Sequence, residues 1–313
     1  MNSTASTDTG TDTNEGIFSL SVIYLIVSLL VMSANGVVVF VFAKTKELHM
    51  PTLWTITWMA VFDFFMGLYI LVFVVPSAFL NRFAYSDTIV GLASCLLTLI
   101  IGQTVFNVAL TVMERCIAVC WPLRYIHIVT TKRVIIAVII SMFLSLIRLV
   151  LITVPDGDFY FREDAALCVV DFNTAGAVLA SVGFPMVSLA LIVICFMMIF
   201  IKTRSLKMQV HPNGVHTRPV GQVKFTMTCM VSTSVFCISY VPFTLGIITN
   251  YISGKDNVPP ILVRILMTSI LSNSLWNVFI YTATYQPFRE ALVYVFYRSY
   301  FRRKRQQEII VVH

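Results

Sequence analysis

Seven long apolar stretches, each nearly empty of charge, divide this chain. They run Gly16–Ala43, Thr52–Leu80 with only Asp63 inside it, Thr88–Met113, Val134–Val154 interrupted by Arg148, Phe172–Ile201, Phe225–Ile252, and Ile261–Thr284 with Arg264 near one end. A bilayer core is crossed by about 20 apolar residues of helix, and in lipid every backbone polar group must be bonded within the protein. The stretches therefore predict an all-α membrane protein, a seven-transmembrane helix bundle. Composition supports this: 58% of residues are hydrophobic and 12% charged, against roughly 45–50% and about 25% in soluble domains. The first stretch is not read as a cleavable signal peptide, because Glu15 precedes it, its apolar run is too long and no small-residue cleavage site follows.

The net charge of +7 would in a soluble chain point to nucleic acid, but its distribution follows topology. Lys44, Lys46, Arg124, Lys132, Arg133, Lys202, Arg204, Lys207, Arg218, Lys224 and the tail arginines fall in alternate loops. The intervening segments are mainly acidic, with Glu15, Asp87, Asp156, Asp158, Glu163, Asp164, Asp171 and Asp256. The excess of basic residues on one side predicts an extracellular amino terminus and a cytoplasmic carboxyl terminus in the plasma membrane. Three regions follow: a tail over 1–15 carrying a glycosylation sequon at Asn2, a spanning domain over 16–285, and a segment over 286–313. In the last, Phe288, Leu292, Val295 and Phe296 share a helical face opposite arginines, the pattern of a short amphipathic helix lying against the bilayer, with Arg302–Arg305 favouring anionic lipid.

Of seven cysteines, Cys95 and Cys168 face the oxidising side on this topology and form the expected disulfide. The others sit within or at the inner ends of spans as small hydrophobes. No Cys/His cluster has metal-ligand spacing, no glycine-rich phosphate loop precedes a helix, and no nucleophile–base pair suggests an enzyme.

Charged and amide side chains inside spans are costly and mark function. Asn35 and Asp63 lie within the first and second spans. Asn273, Asn277 and Tyr281 recur at i, i+4 and i+8 on one face of the seventh, beside Ser274. At the end of the third span stands Glu114-Arg115, with Pro122-Leu123 seven residues beyond the arginine. The sixth contains Phe236-Cys237-Ile238-Ser239-Tyr240-Val241-Pro242, and its proline predicts a kink.

Together these residues resemble the rhodopsin-like G-protein-coupled receptors. Glu114-Arg115-Cys116 stands where the family has Glu/Asp-Arg-Tyr, Asn277-Val278-Phe279-Ile280-Tyr281 where it has Asn-Pro-x-x-Tyr, and Tyr240 where the sixth helix carries tryptophan. The resemblance implies that Glu114, Arg115, Pro122 and Leu123 serve G-protein coupling. Phe236, Tyr240 and Pro242 are then the sixth-helix switch. Asn35, Asp63, Thr104, Asn273, Ser274, Asn277 and Tyr281 form an activation network, either holding a sodium ion at Asp63 or bonded without one. The position of the family's sixth-helix lock acid is Gln222, near Lys224, so basal activity is expected. Val278 removes the proline that kinks the seventh helix.

The resemblance also narrows the ligand. No lysine in the seventh span could carry retinal, and Leu97 occupies the position where amine receptors have aspartate. The implied pocket is Leu97, Thr98, Ile101, Phe243, Thr244, Ile247, Met267 and Ile270, suited to a small, weakly polar molecule. With the short tail, His49-Met50-Pro51 and the Glu-Arg-x-x-Ala-Val-Cys-x-Pro-Leu-Arg-Tyr run, the chain resembles divergent fish-type odorant receptors. A receptor for a lipid, nucleotide or peptide is the alternative, and a small-solute transporter the rival from another class. Transporters normally show internal repeats, and none is evident. Two features fit less well. Cys95 lies twenty residues before Arg115, where the family cysteine lies about twenty-five before. Arg148 is expected to snorkel towards the acidic loop, with an anion-binding role in the pocket as the other possibility.

Overall fold

The computed structural model describes residues 9–156, 158–163, 165–170, 174–208, 220–253, 259–284, 286 and 288–297. Asn2 and Arg302–Arg305 lie outside the described residues, as do the side chains of Gln222, Lys224 and Tyr281. Among the described residues, seven spans are long and apolar enough to cross a membrane. The first is Thr9–Lys44, the third Asp87–Cys120, the fourth Thr131–Asp156, the fifth Ala175–Met208, the sixth Val220–Ser253 and the seventh Pro260–Thr284. The second crosses as Pro51–Tyr69, a π-turn over Ile70–Val74 and a last helical segment Val75–Leu80. Pro76 lacks an N–H, so the carbonyl four residues back has no helical donor, and the wide turn absorbs that loss. Asn81, with φ at 48°, ends the span in the left-handed conformation an asparagine tolerates.

The helices outrun the charge-free stretches. The third extends through Glu114 and Arg115 to Cys120, because neither charge breaks a helix and Pro122 supplies the stop two residues on. Buried residues concentrate on facing stripes: the second and third spans are the most enclosed, whereas the fourth and fifth turn most of their apolar surface outward, as lipid requires. At Gly67 the first two spans approach closely, since a Cβ there would lie 2.7 Å from Met32 Cγ and 3.1 Å from Met32 N.

Between the fourth and fifth spans the chain forms a two-stranded antiparallel hairpin, β1 (Phe159–Arg162) and β2 (Leu167–Val170), paired from Phe159↔Val170 to Arg162↔Leu167. It packs on the third span, where the ring of Phe159 occupies the space over Gly91 that a side chain would fill. Its tip is buried at Ala165, whose carbonyl accepts a 3.4 Å hydrogen bond from Tyr24 of the first span. At the opposite end of the bundle, a short helix Pro122–Ile128 follows the third span. A terminal helix over 288–297 lays Phe288, Ala291 and Val295 against the core, while Phe296 points away from that face.

Two expectations need correction. Cys95 and Cys168 are both free thiols. Relative to a cysteine about twenty-five residues before Arg115, Cys95 is five residues further along, which on an α-helix is about 7.5 Å deeper and about 140° around the axis. That rotation takes it off the buried stripe of Val90, Ala93, Ser94 and Leu97 on which the hairpin rests. Cys168 is buried in β2, and burial pushes its thiol up to about 12.

Arg148 does not snorkel. It is 6% exposed and belongs to one stripe of the fourth span, Val134, Val138, Ser141, Ser145, Arg148 and Ile152, all buried. The alternating steps of three and four residues place them on one helical face, and that face meets the third span. Reaching the surface would require the opposite, lipid-facing side.

Candidate functional site

At the Pro122 end, Arg115 and Glu114 are 5% and 3% exposed. Arg115 donates from Nε to Glu114 Oε2 at 2.6 Å and from Nη2 to Glu114 Oε1, a two-pronged pair. Tyr125, carried back by the short helix, donates its hydroxyl to Glu114 Oε1 and accepts from Arg115 Nη2 at 3.2 Å. Three side chains thus close on one another, and the arginine is occupied within its own neighbourhood. Pro122 starts the short helix and Leu123 is 88% exposed, a large apolar side chain presented beside the closed pair. Tyr125 was missed as a participant at the sequence level. Its position at the end of the Pro122-Leu123-Arg124-Tyr125 run is visible, but the turn that folds it back onto Glu114 is not.

In the middle of the bundle, Asp63 is 1% exposed. Its Oδ1 accepts from Ser274 Oγ at 2.7 Å and its Oδ2 from Asn277 Nδ2 at 3.1 Å. Asn277 Oδ1 accepts from Ser232 of the sixth span at 2.6 Å, and Asn35 Nδ2 donates to the Ser274 carbonyl at 3.1 Å. The predicted residues of the first, second and seventh spans are therefore brought together, with Ser232 added from the sixth. Asn273, on the same face as Asn277, is buried with neither amide atom bonded. Thr104 donates to its own helix at Ile100, leaving lone pairs of its oxygen unused. Phe236 and Tyr240 stack with ring centroids 4.1 Å apart, both buried, directly before Pro242. No group of three or more His, Cys, Asp or Glu side chains able to hold a metal occurs among the described residues.

At the hairpin end lies a cavity of about 150 Å³. Six of the predicted residues line it: Leu97, Thr98, Ile101, Phe243, Ile247 and Met267. Thr244 and Ile270 do not. Thr244 spends its hydroxyl on the Tyr240 carbonyl at 2.9 Å, and Ile270 is packed in the core. The sequence reading lacked the hairpin wall of Tyr160, Arg162 and Cys168, and the depth of Arg148. Nothing in hydropathy indicates that a loop will fold inward. A second polar cluster joins the third and fourth spans: Gln103 donates to Ser141 at 2.8 Å and accepts from Ser145 at 2.9 Å, and contacts Asn107 at 3.3 Å.

A helix bundle with a cavity at one end, a buried polar core, and a closed acid–arginine pair at the other has the build of a membrane receptor. The model of the 7 transmembrane receptor (rhodopsin family) matches residues 34–281, and the chain belongs to that family: it is a class A G-protein-coupled receptor and not an enzyme. The rat trace amine-associated receptor 4 is 25% identical over 88% of this chain and 84% of its own length. The guinea-pig histamine H2 receptor is 24% identical over 87% of this chain and 78% of its own. Squid rhodopsin superimposes with a TM-score of 0.79, covering 90% of this chain and 86% of its own at 17% identity, a likeness of fold.

Proposed function

We propose that this receptor sits in the plasma membrane with its amino terminus and hairpin outside, and that binding of a small molecule in the hairpin-end cavity drives nucleotide exchange on a heterotrimeric G protein at the Arg115 end. The observation that carries the reading is the pairing, in one bundle, of that cavity with the Glu114–Arg115–Tyr125 closure at the opposite end. A ligand shifts the equilibrium only by its differential affinity for two states. Release of Arg115 from Glu114 and Tyr125 is the change that frees a coupling surface, with Pro122 and Leu123 beside it. The stacked Phe236–Tyr240 pair, ahead of the Pro242 kink, lies between the two ends.

Asp63, with Thr104, Asn273, Ser274 and Asn277, forms a set of one carboxylate and neutral oxygens, and the unbonded Asn273 amide fits an additional ligand there. A sodium ion held by these residues would add positive charge at the carboxylate. The protein's own part is clear without it: Ser274, Asn277 and Ser232 tie the second, sixth and seventh spans together.

Within the family we favour chemosensory ligands of odorant size over the amines named in two relatives. Leu97 offers no counter-ion, and none of the described residues lining the cavity is acidic. Cyclic-AMP signalling would be recorded in cells expressing wild type, Arg115→Ala or Leu123→Ala at equal surface density, against water-soluble acids, alcohols and amino acids. A response present in wild type and lost in both variants is expected. Solute flux through receptor-loaded vesicles, with no nucleotide exchange on any G protein tested, would refute the reading.

A further inference from the structure

The cavity contains a charge that the proposed function leaves unused. Arg148 lines it, 6% exposed, on the buried stripe of the fourth span. Its Nη1 donates to the Thr98 carbonyl at 3.1 Å, and Nε has no acceptor. The guanidinium of Arg148 has no carboxylate partner, in contrast to Arg115, which Glu114 neutralises. Space for it is built in, because a Cβ at Gly102 of the third span would stand 3.0 Å from Nη1. A second cation, Arg162 of β1, lies on the same cavity wall.

Burying a guanidinium without a carboxylate partner is costly, and in a spanning segment such a charge marks a binding or transport role. A guanidinium carries several N–H donors in one fixed plane, and its charge and planarity suit an oxyanion such as a carboxylate. We propose that Arg148 is the anion-recognition residue of this cavity, and that the receptor takes a small oxyanion, in the first instance a monocarboxylate, with an apolar body. The apolar remainder follows from Leu97, Ile101, Phe243 and Met267 on the facing walls. Its size follows from the volume, since an apolar cavity of about 150 Å³ admits a molecule the size of benzene. The buried guanidinium of Arg148 disfavours a cationic amine by charge repulsion and desolvation. The proposal rests on the hairpin-end cavity being the ligand site, but not on G-protein coupling.

The test is thermal unfolding of purified receptor in lipid nanodiscs with benzoate, benzamide and benzylamine, which share a ring and differ in charge. Butyrate and phenyl phosphate extend the series to an aliphatic acid and a phosphate. Wild type, Arg148→Gln and Arg148→Lys are compared, and the unliganded transition reports whether each variant folds. Benzoate is expected to stabilise wild type more than benzamide or benzylamine does. Its apparent affinity should weaken about 10- to 100-fold in Arg148→Gln, the range of hydrogen bonds to a charged group, with partial recovery in Arg148→Lys. A larger effect of phenyl phosphate than benzoate in wild type, equally lost in Arg148→Gln, would keep the anion site and move its ligand from carboxylate to phosphate. Equal benzoate stabilisation of wild type and Arg148→Gln, preference for benzylamine, or no stabilisation of folded wild type by any of the acids would overturn it. Binding without nucleotide exchange would instead remove the coupling proposal and leave this one standing.

Discussion

Replacing Tyr125 with phenylalanine removes one oxygen and leaves the ring that packs beside Arg115. That oxygen makes two bonds, one donated to Glu114 Oε1 and one accepted from Arg115 Nη2 at 3.2 Å. Hydrogen bonds to charged groups contribute about 1.5–3 kcal/mol each when buried. Tyr125 is only half-buried, so water compensates part of the loss, and the arginine keeps its two-pronged contact with Glu114. A net destabilisation of the closed arrangement of about 1–2 kcal/mol is therefore expected, equivalent to about 5- to 30-fold in the closed-to-open ratio. On the proposed mechanism Arg115 leaves Glu114 in the open state and the hydroxyl contributes nothing there, so most of this difference would reach the equilibrium. Tyr125→Phe should raise ligand-free nucleotide exchange by a corresponding factor until the active fraction saturates. The assay is basal exchange on purified G protein at matched receptor density, with surface expression and unfolding temperature recorded in parallel. Unchanged or lower basal exchange in a normally folded variant would refute the idea that Tyr125 holds the inactive state. Because no acid stands at Gln222 to add a second restraint, wild type itself should already show measurable basal exchange.

Two further outcomes follow from packing. Gly67→Ala gains up to about 1 kcal/mol of helix propensity, but its Cβ would meet the Met32 backbone nitrogen at 3.1 Å, an atom that cannot swing away. Overpacking of about 1–3 kcal/mol should win, and the unfolding temperature of Gly67→Ala should fall; a rise would show that the first two spans can separate at no cost. Cys95→Ser and Cys168→Ser should each retain wild-type surface expression and unfold at the wild-type temperature in the presence or absence of reductant. Equal, large losses in both, reproduced by reductant on wild type, would restore the disulfide.

The spans were legible because lipid leaves the chain few options: seven charge-poor stretches of sufficient length become seven spans. The partners of Asp63 were legible for a related reason, since Ser274 and Asn277 are polar groups with nowhere else to go, whereas Asn273 shares their face without bonding to the carboxylate. Arg148 was misplaced although its signal was present. Ser141 and Ser145 stand seven and three residues before it, and their spacing already marks a polar stripe that must face protein. Weighing the arginine alone favoured the surface; weighing it with the serines would have turned it inward. The hairpin wall of the cavity and the return of Tyr125 to Glu114 were not legible. Both depend on how short connections fold back, and periodicity carries no information about that. The cysteine pairing failed on rotation: the two thiols lie at the same end of the bundle, but one is on the wrong face of its helix.

The free thiols of Cys95 and Cys168 have a consequence for time rather than affinity. Without a covalent strap, the hairpin is held by non-covalent contacts alone, among them the burial of Leu167 and Val170, the Tyr24–Ala165 hydrogen bond, the seating of Phe159 over Gly91, and ring contact between Phe83 and Phe161 at 5.6 Å. Such a wall can detach by local fluctuation at a fraction of the global unfolding free energy. Ligand escape is then limited by that fluctuation and quickens as the temperature rises. A receptor built this way would follow falling ligand concentrations closely, and its memory of each encounter would be set by how long the non-covalent attachments of the hairpin survive together.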